Sequence, residues 1–242
     1  MELASRVALV TGGGRRVGRA LALALARRGM HLAIHYNSSA QGAEETAAAA
    51  RALGVEAELF QADLEDAAAA RDLPGHAARR FGRLDVVVNS AGIMPQATVE
   101  ETTVELWDQA MSLNLRSYFF IVQGALSHLR AARGKVVNLA DVGGLEPWPR
   151  YTAHCVSKAG VVMLTKTLAL ALAPDVTVNA IAPGAVLPPD EWSDIAKEHL
   201  AKTTPLKRLG SPEDVAGALV YLLEADYVTG EVLVVDGGRL IR

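Results

Sequence analysis

A single cysteine, Cys155, stands among 242 residues, so no internal disulfide can form and a reducing, cytoplasmic setting is expected. No apolar run approaches the roughly 18 residues that span a membrane. The opening Met1-Glu2-Leu3-Ala4-Ser5 also lacks the basic segment of a secretory signal. Cationic excess is missing too: 24 Lys and Arg against 27 Asp and Glu leave a formal charge of -3, which argues against the basic face that nucleic acids need. Neither internal repeats nor a linker divide the chain, and no metal site is expected. What is present is ample apolar material, 50% of residues against 21% charged, enough to build a packed core. One domain spanning residues 1–242 is expected, with no membrane or nucleic-acid partner.

Short apolar runs alternate with amphipathic stretches. Val7 to Val10, His31 to Tyr36, Glu56 to Gln61, Asp85 to Val88, Lys135 to Leu139, Thr177 to Ile181 and Val232 to Val235 read as strands. Helical stretches cover Arg16 to Arg28, Ala40 to Leu53, Val104 to Ala131, Thr152 to Ala173 and Pro212 to Leu223. Between the third and fourth strands a helical segment is expected to break at Leu73-Pro74, with Pro74 opening a new helix. Strands with apolar residues on both faces, separated by helices, imply an α/β fold with a parallel sheet covered on both sides. A Pro-rich connector, Pro183 to Pro189, leads into a short helix, and a small substrate loop is expected at about 184–210.

Between the first strand and first helix lies Thr11-Gly12-Gly13-Gly14-Arg15-Arg16-Val17-Gly18. Glycines there let the backbone turn sharply and approach a pyrophosphate, whose charge a helix N-terminus stabilises. NAD-binding sites of this kind usually place an acid about 20 residues further on. Here the second strand ends His35-Tyr36-Asn37-Ser38, with no carboxylate to repel a 2′-phosphate, and Arg15 and Arg16 add positive charge. This pattern favours NADP(H). The competing reading makes both arginines ordinary residues at a helix start.

Taken together, Thr11-Gly12…Gly18, Asp63-Leu64, Asn89-Ser90-Ala91-Gly92, Asn114, the segment ending at Lys158, Asn179…Pro183-Gly184 and Asp236-Gly237-Gly238 resemble the short-chain dehydrogenase/reductase superfamily. The resemblance runs over essentially the whole chain. It implies a Rossmann-type, doubly wound, seven-stranded parallel sheet with helices on both faces, hydride transfer to a small-molecule substrate, and a homotetramer or homodimer paired through two long helices. It also implies roles. Asp63 and Leu64 would sit beside the adenine, and Asn89, Ala91 and Gly92 would line the cofactor. Pro183 and Gly184 would border the nicotinamide. Lys158 would hold the nicotinamide ribose, and Asn114 would tie a proton-relay water to the fourth helix.

Within the superfamily the chain resembles pteridine reductases at several positions. Arg16 stands where most members have Gly or Ala, Asp141 lies thirteen residues before position 154, where most members place a Ser, and His35-Tyr36 is alike. Met94 departs from that branch, standing where it places an aromatic that stacks on the pterin; a thioether stacks less well on a flat heterocycle.

The sharpest departure is at the proton donor. The segment reads Tyr151-Thr152-Ala153-His154-Cys155-Val156-Ser157-Lys158, with His where the family's Tyr would be. Residues four apart share a helix face, so His154 and Lys158 can meet one ligand. An imidazolium can protonate a carbonyl oxygen; the Lys158 cation disfavours it, and an Asp141 carboxylate in reach would offset that. An Asp141–His154 acid site with Lys158 on the ribose is therefore coherent. Against it stand a silent His154, Tyr151 acting instead, and Asp141 serving only as a turn cap before Gly143-Gly144. Cys155 is expected in the core, and Trp148 and Trp192 flank the cleft or pack at an interface. The expected function is an NADPH-dependent reductase of a small carbonyl or pteridine-type substrate. The alternative is an NADP(H)-binding protein with little catalysis. An alcohol dehydrogenase running oxidatively would use the same residues.

Overall fold

Strands that read as unbroken apolar runs must be covered on both faces, and the architecture follows from that. The computed structural model describes residues 1–187 and 193–242. In chain order the elements are β1 (Val7–Val10), α1 (Arg16–Arg27), β2 (His31–Tyr36), α2 (Ala40–Ala52), β3 (Ala57–Gln61), α3 (Ala67–Phe81) and β4 (Val86–Asn89). There follow α4 (Val104–Met111), α5 (Ser117–Ala132), β5 (Lys135–Leu139), α6 (Thr152–Leu172), β6 (Thr177–Pro183), α7 (Asp194–Thr203), α8 (Pro212–Glu224) and β7 (Val232–Val235).

All strand pairs are parallel, in the order β3-β2-β1-β4-β5-β6-β7. Successive strand residues point to opposite faces. Ala8, Val10, Val86 and Val88 pack with Leu21 and Leu25 of α1, Ala47 of α2 and Leu219 of α8. On the other face, Val7, Leu9, Val87 and Val136 pack with Leu73 of α3, Ile121 of α5 and Leu168 of α6. Truncating a fully buried leucine such as Leu25 to Ala is expected to cost about 2–5 kcal/mol. The strand order reverses between β1 and β4, and in such sheets the crevice beyond the strand ends at that point is where ligands bind.

Three expectations need correcting. The segment around Pro74 is one continuous helix, α3, capped by Asp66, which accepts from the Ala68 amide at 2.8 Å. Packing overrides the missing amide: α5 crosses α3 so closely that a Cβ on Gly124 would lie 1.8 Å from the Arg71 carbonyl oxygen. The expected long helix from Val104 to Ala131 is divided into α4 and α5 by a wider π-type turn over Ser112–Arg116. Such bulges often mark functional positions. Helix α6, with 21 residues and a mean hydropathy of 1.5 over its most apolar stretch, is long and apolar enough to cross a membrane by length and composition. Here its buried face covers the sheet through Leu168 and Leu172, and it carries Lys158 and Lys166.

Candidate active site

The turn after β1 leaves no space for side chains at two glycines. Gly12 has φ 65°, and a Cβ there would lie 3.0 Å from the Ala91 Cα. At Gly18, the first buried residue of α1, a Cβ would lie 2.2 Å from the Gly12 carbonyl oxygen. Arg16 takes φ 50° without being glycine, a left-handed conformation that costs about 1–3 kcal/mol. Its guanidinium donates to the Leu187 carbonyl, linking the turn to the loop after β6. Thr11 Oγ1 accepts from the Ser90 and Ala91 amides at 2.9 and 3.0 Å, which fixes the loop after β4 against this turn.

Two adjoining cavities open at these strand ends. One, of about 430 Å³, is lined by Gly12, Arg15, Gly18, Tyr36, Asp63 and Leu64, and by Asn37, Ser38 and Ala91 among others. The other, of about 870 Å³, is lined by Asp141, Trp148, His154, Lys158, Pro183 and Gly184, and also by Met94 and Tyr151. Arg15, Arg16, Val17 and Gly92 belong to both walls. Nearly all the residues read as cofactor-binding from the sequence thus converge on one trough. Asn89 does not: it lies a layer beneath, fully buried, with Nδ2 donating to Asn138 Oδ1 at 2.9 Å. Asn138 in turn donates to Thr165 Oγ1 at 2.9 Å, so Asn89 braces β4 against β5 and α6.

The second cavity holds the candidate chemistry. The His154 ring is 3% exposed and stacks on Trp148, with centroids 6.2 Å apart and planes 10° from parallel. Nδ1 lies 3.2 Å from the Ile93 carbonyl oxygen, so that nitrogen carries a proton. Nε2 is buried with no hydrogen-bond partner among the described residues. Asp141 Oδ1 lies 3.8 Å from it, an electrostatic contact too long for a hydrogen bond. Asp141 Oδ1 also accepts from the Gly143 amide at 2.7 Å, so the turn-cap role and the charge beside His154 belong to the same carboxylate.

Lys158 donates to the Leu139 carbonyl at 2.6 Å, and its ammonium lies 5.4 Å from the Tyr118 ring centroid. Burial pulls its pKa down to about 8, opposed by the Asp141 carboxylate. Asn114 projects from the π-type turn: its Oδ1 accepts from Ile93 N at 2.8 Å, and Nδ2 donates to Ile93 O and to Ser157 Oγ at 2.9 and 3.0 Å. The Ile93 carbonyl therefore links Asn114 to His154, a connection no spacing rule foretells. Gly92 matches this crowding, since a Cβ there would lie 3.0 Å from Asn114 Oδ1.

Other expectations fare variously. The Tyr151 hydroxyl accepts from the Gln96 side-chain amide at 3.1 Å, and the Gln96 oxygen accepts from the Arg150 guanidinium. Cys155 is half-buried rather than in the core, and burial raises its thiol pKa. Trp148 lines the cleft, whereas Pro188, Pro189 and Trp192 lie outside the described residues. Reading the sequence missed Thr11, Tyr118 and His35 as site residues. A polar His35 closing the apolar run Leu32-Ala33-Ile34 was the available signal for the last.

A family profile described as enoyl-(acyl carrier protein) reductase matches residues 13–239. The chain is 39% identical over 241 residues to a granaticin polyketide synthase putative ketoacyl reductase of Streptomyces violaceoruber, covering 96% of this chain and 95% of that one. A short-chain dehydrogenase/reductase from Serratia marcescens superposes with a TM-score of 0.92 at 33% identity, over 99% of this chain and all of the other. A blue fluorescent protein from a metagenomic library, solved with NADPH, is similar at a TM-score of 0.92 and 30% identity, over 99% of each chain.

Proposed function

The chain belongs to the short-chain dehydrogenase/reductase superfamily of nicotinamide-dependent oxidoreductases, and on that premise we propose that it is an NADPH-dependent reductase of a small ketone in which His154 is the proton donor. The observation that carries this reading is the buried Nε2 of His154, which has no hydrogen-bond partner among the described residues and lies on the wall of the cleft that also holds Lys158.

The residues present fit the dinucleotide, because the turn at Gly12 and Gly18, packed too tightly on its own backbone to admit a Cβ, leaves the wall of the 430 Å³ cavity bare of side chains at those two positions. Gly12, Val17 and Gly18 would hold the pyrophosphate; Arg15, Tyr36, Asn37 and Ser38 the 2′-phosphate side; Asp63 and Leu64 the adenine. Ala91, Gly92, Pro183, Gly184 and Lys158 would hold the nicotinamide end. When bound, the cofactor supplies the hydride that reduces the carbonyl carbon. Lys158, charged below about pH 8, adds positive charge beside the developing alkoxide. His154 gives the Nε2 proton to that oxygen, with the Asp141 carboxylate 3.8 Å from the nitrogen to balance the ring's positive charge before transfer. Nδ1 keeps its proton on the Ile93 carbonyl throughout, so the ring neither turns nor changes tautomer. Asn114 acts by holding Ile93 in place.

The ketoacyl reductase relative supports a 3-oxoacyl substrate, while Arg16 and Asp141 keep a pterin in the comparison. We further propose one domain with a substrate loop at about 184–210, and a cytoplasmic setting suited to a lone thiol. Homo-oligomerisation would run through the α4–α5 and α6 faces, where Phe119, Met163 and Leu170 are exposed. Steady-state NADPH oxidation with 3-oxoacyl thioesters, diketones, quinones and pterins tests the activity. An active wild type whose His154→Phe variant keeps NADPH affinity but loses turnover supports the proposal. A wild type inactive on all of them, with activity gained by His154→Tyr, favours the weakly catalytic binder instead.

A further inference from the structure

The side chain of His35 is 2% exposed and sits beneath the nucleotide trough rather than in the reacting cleft. Its Nδ1 accepts from the Gly12 amide at 3.1 Å, and its Nε2 lies 3.0 Å from the Ala62 carbonyl oxygen. An amide can only donate and a carbonyl only accept, so both bonds form together only when the ring is neutral with its proton on Nε2. The backbone runs in parallel: His35 O accepts from Gly13 N at 3.0 Å, and Tyr36 O from Ala62 N at 3.1 Å. Gly12 opens the phosphate turn, and Ala62 immediately precedes Asp63 and Leu64. One imidazole thus spans the pyrophosphate and adenine ends of the same cavity.

We infer that His35, in its neutral Nε2–H form, is a positioning residue that holds the phosphate turn in register with the adenine-side segment, and that protonating the ring releases the turn and weakens dinucleotide binding. The inference rests on the cofactor reading above. An imidazolium would aim a second N–H at the Gly12 N–H, a donor facing a donor.

The ionisable groups around this cavity are Asp63 and Glu65 after β3, Arg15 and Arg16 at the start of α1, and Tyr36 beside His35 on β2. The segments after β4 and before α2 add only uncharged side chains. Burial lowers the pKa of His35, and the Ala62 carbonyl and the Asp63 carboxylate oppose this less strongly. With the folded value below the unfolded one, the neutral pairing is complete at neutral pH. It is lost as pH falls below the ordinary histidine range towards the lowered value.

The test is fluorescence titration of wild type, His35→Asn and His35→Gln with NADPH and NADH between about pH 8 and pH 5. NADH is included because a phosphate monoester itself titrates near 6. Asn places an oxygen near the Nδ1 position and cannot take up a proton. Gln reaches towards Ala62 and leaves the Gly12 amide without its acceptor. Wild-type affinity for both cofactors should fall by about tenfold or more on the acid side, as expected when a buried donor loses its partner. His35→Asn should bind within about threefold of wild type near neutrality and show a flatter acid limb, whereas His35→Gln should bind about tenfold more weakly throughout. Equal acid slopes in wild type and His35→Asn overturn the inference, as do variants that change thermal stability alone. Should the variants not fold, ¹⁵N-histidine NMR of the wild type decides: an Nδ1–H ring or an imidazolium at neutral pH overturns it. A wild type that binds neither cofactor brings down the cofactor reading itself, which is a different result from binding with unaltered slopes.

Discussion

At one end of the trough, Gly12 and Gly18 sit where the backbone folds back on itself and a single methyl group would strike a carbonyl or a Cα. At the other end, His154, Asp141, Lys158 and Asn114 come from three separate segments and meet through contacts of 2.6 to 3.8 Å. The first arrangement is steric and local: what matters is the absence of side chains at the glycines of one eight-residue turn. The second is electrostatic and non-local, and it exists only once α6, the π-type turn and the loop after β5 have packed. The phosphate turn should therefore fail all at once when crowded. The acid cluster should degrade by degrees as its charges and bonds are removed.

The harshest way to break the contrast is Gly18→Val. With its Cβ 2.2 Å from the Gly12 oxygen, the variant should lose NADPH binding by more than about a hundredfold in a fluorescence titration, or lose its fold. Next comes His154→Phe. It should reduce kcat by about 10²–10⁴, the range of general acid catalysis, with NADPH affinity unchanged; an unchanged kcat removes His154 from the mechanism.

The pH profile separates the two charges of the cluster. Lys158 has a folded pKa of about 8, below its ordinary value near 10.4, so its charge is present below about pH 8. Turnover should decline as pH rises through that value. Asp141→Asn keeps an oxygen to cap the Gly143 amide while removing the carboxylate charge beside His154. Its kcat should fall by about tenfold or more, since one charge near 4 Å is worth about 1 kcal/mol in bulk water and about 4 kcal/mol at the effective dielectric near a protein surface, with Tm almost unchanged. The smallest effect belongs to the turn: Arg16→Gly relieves the positive φ but gives up the bond to Leu187. A net gain near 1 kcal/mol would appear as a rise of about 2–4 °C in Tm.

Strand identities were legible in the sequence because each apolar run is continuous, and a run that buries both faces tolerates no other arrangement. The alternative at Pro74 was settled by α5 pressing on α3 at Gly124, a contact 50 residues away in the chain. The break at Ser112–Arg116 could not be read either, since a π-type turn keeps the composition of the helix around it. Asn89 illustrates the same limit: its place in a family motif says nothing about which layer of the structure its amide bonds to.

By itself, the sequence determined the parallel sheet, the steric emptiness of the phosphate turn and the pairing of His154 with Lys158 on one helix face, because each is set by residues a few positions apart. Only the tertiary structure decided that Asp141 lies 3.8 Å from His154 rather than within a hydrogen bond, that Ile93 ties that ring to Asn114, and that His35 bridges Gly12 and Ala62. Those are meetings of residues 13 to 61 positions apart. Their distances are fixed by how helices and loops pack on the sheet, and local pattern carries no record of that packing.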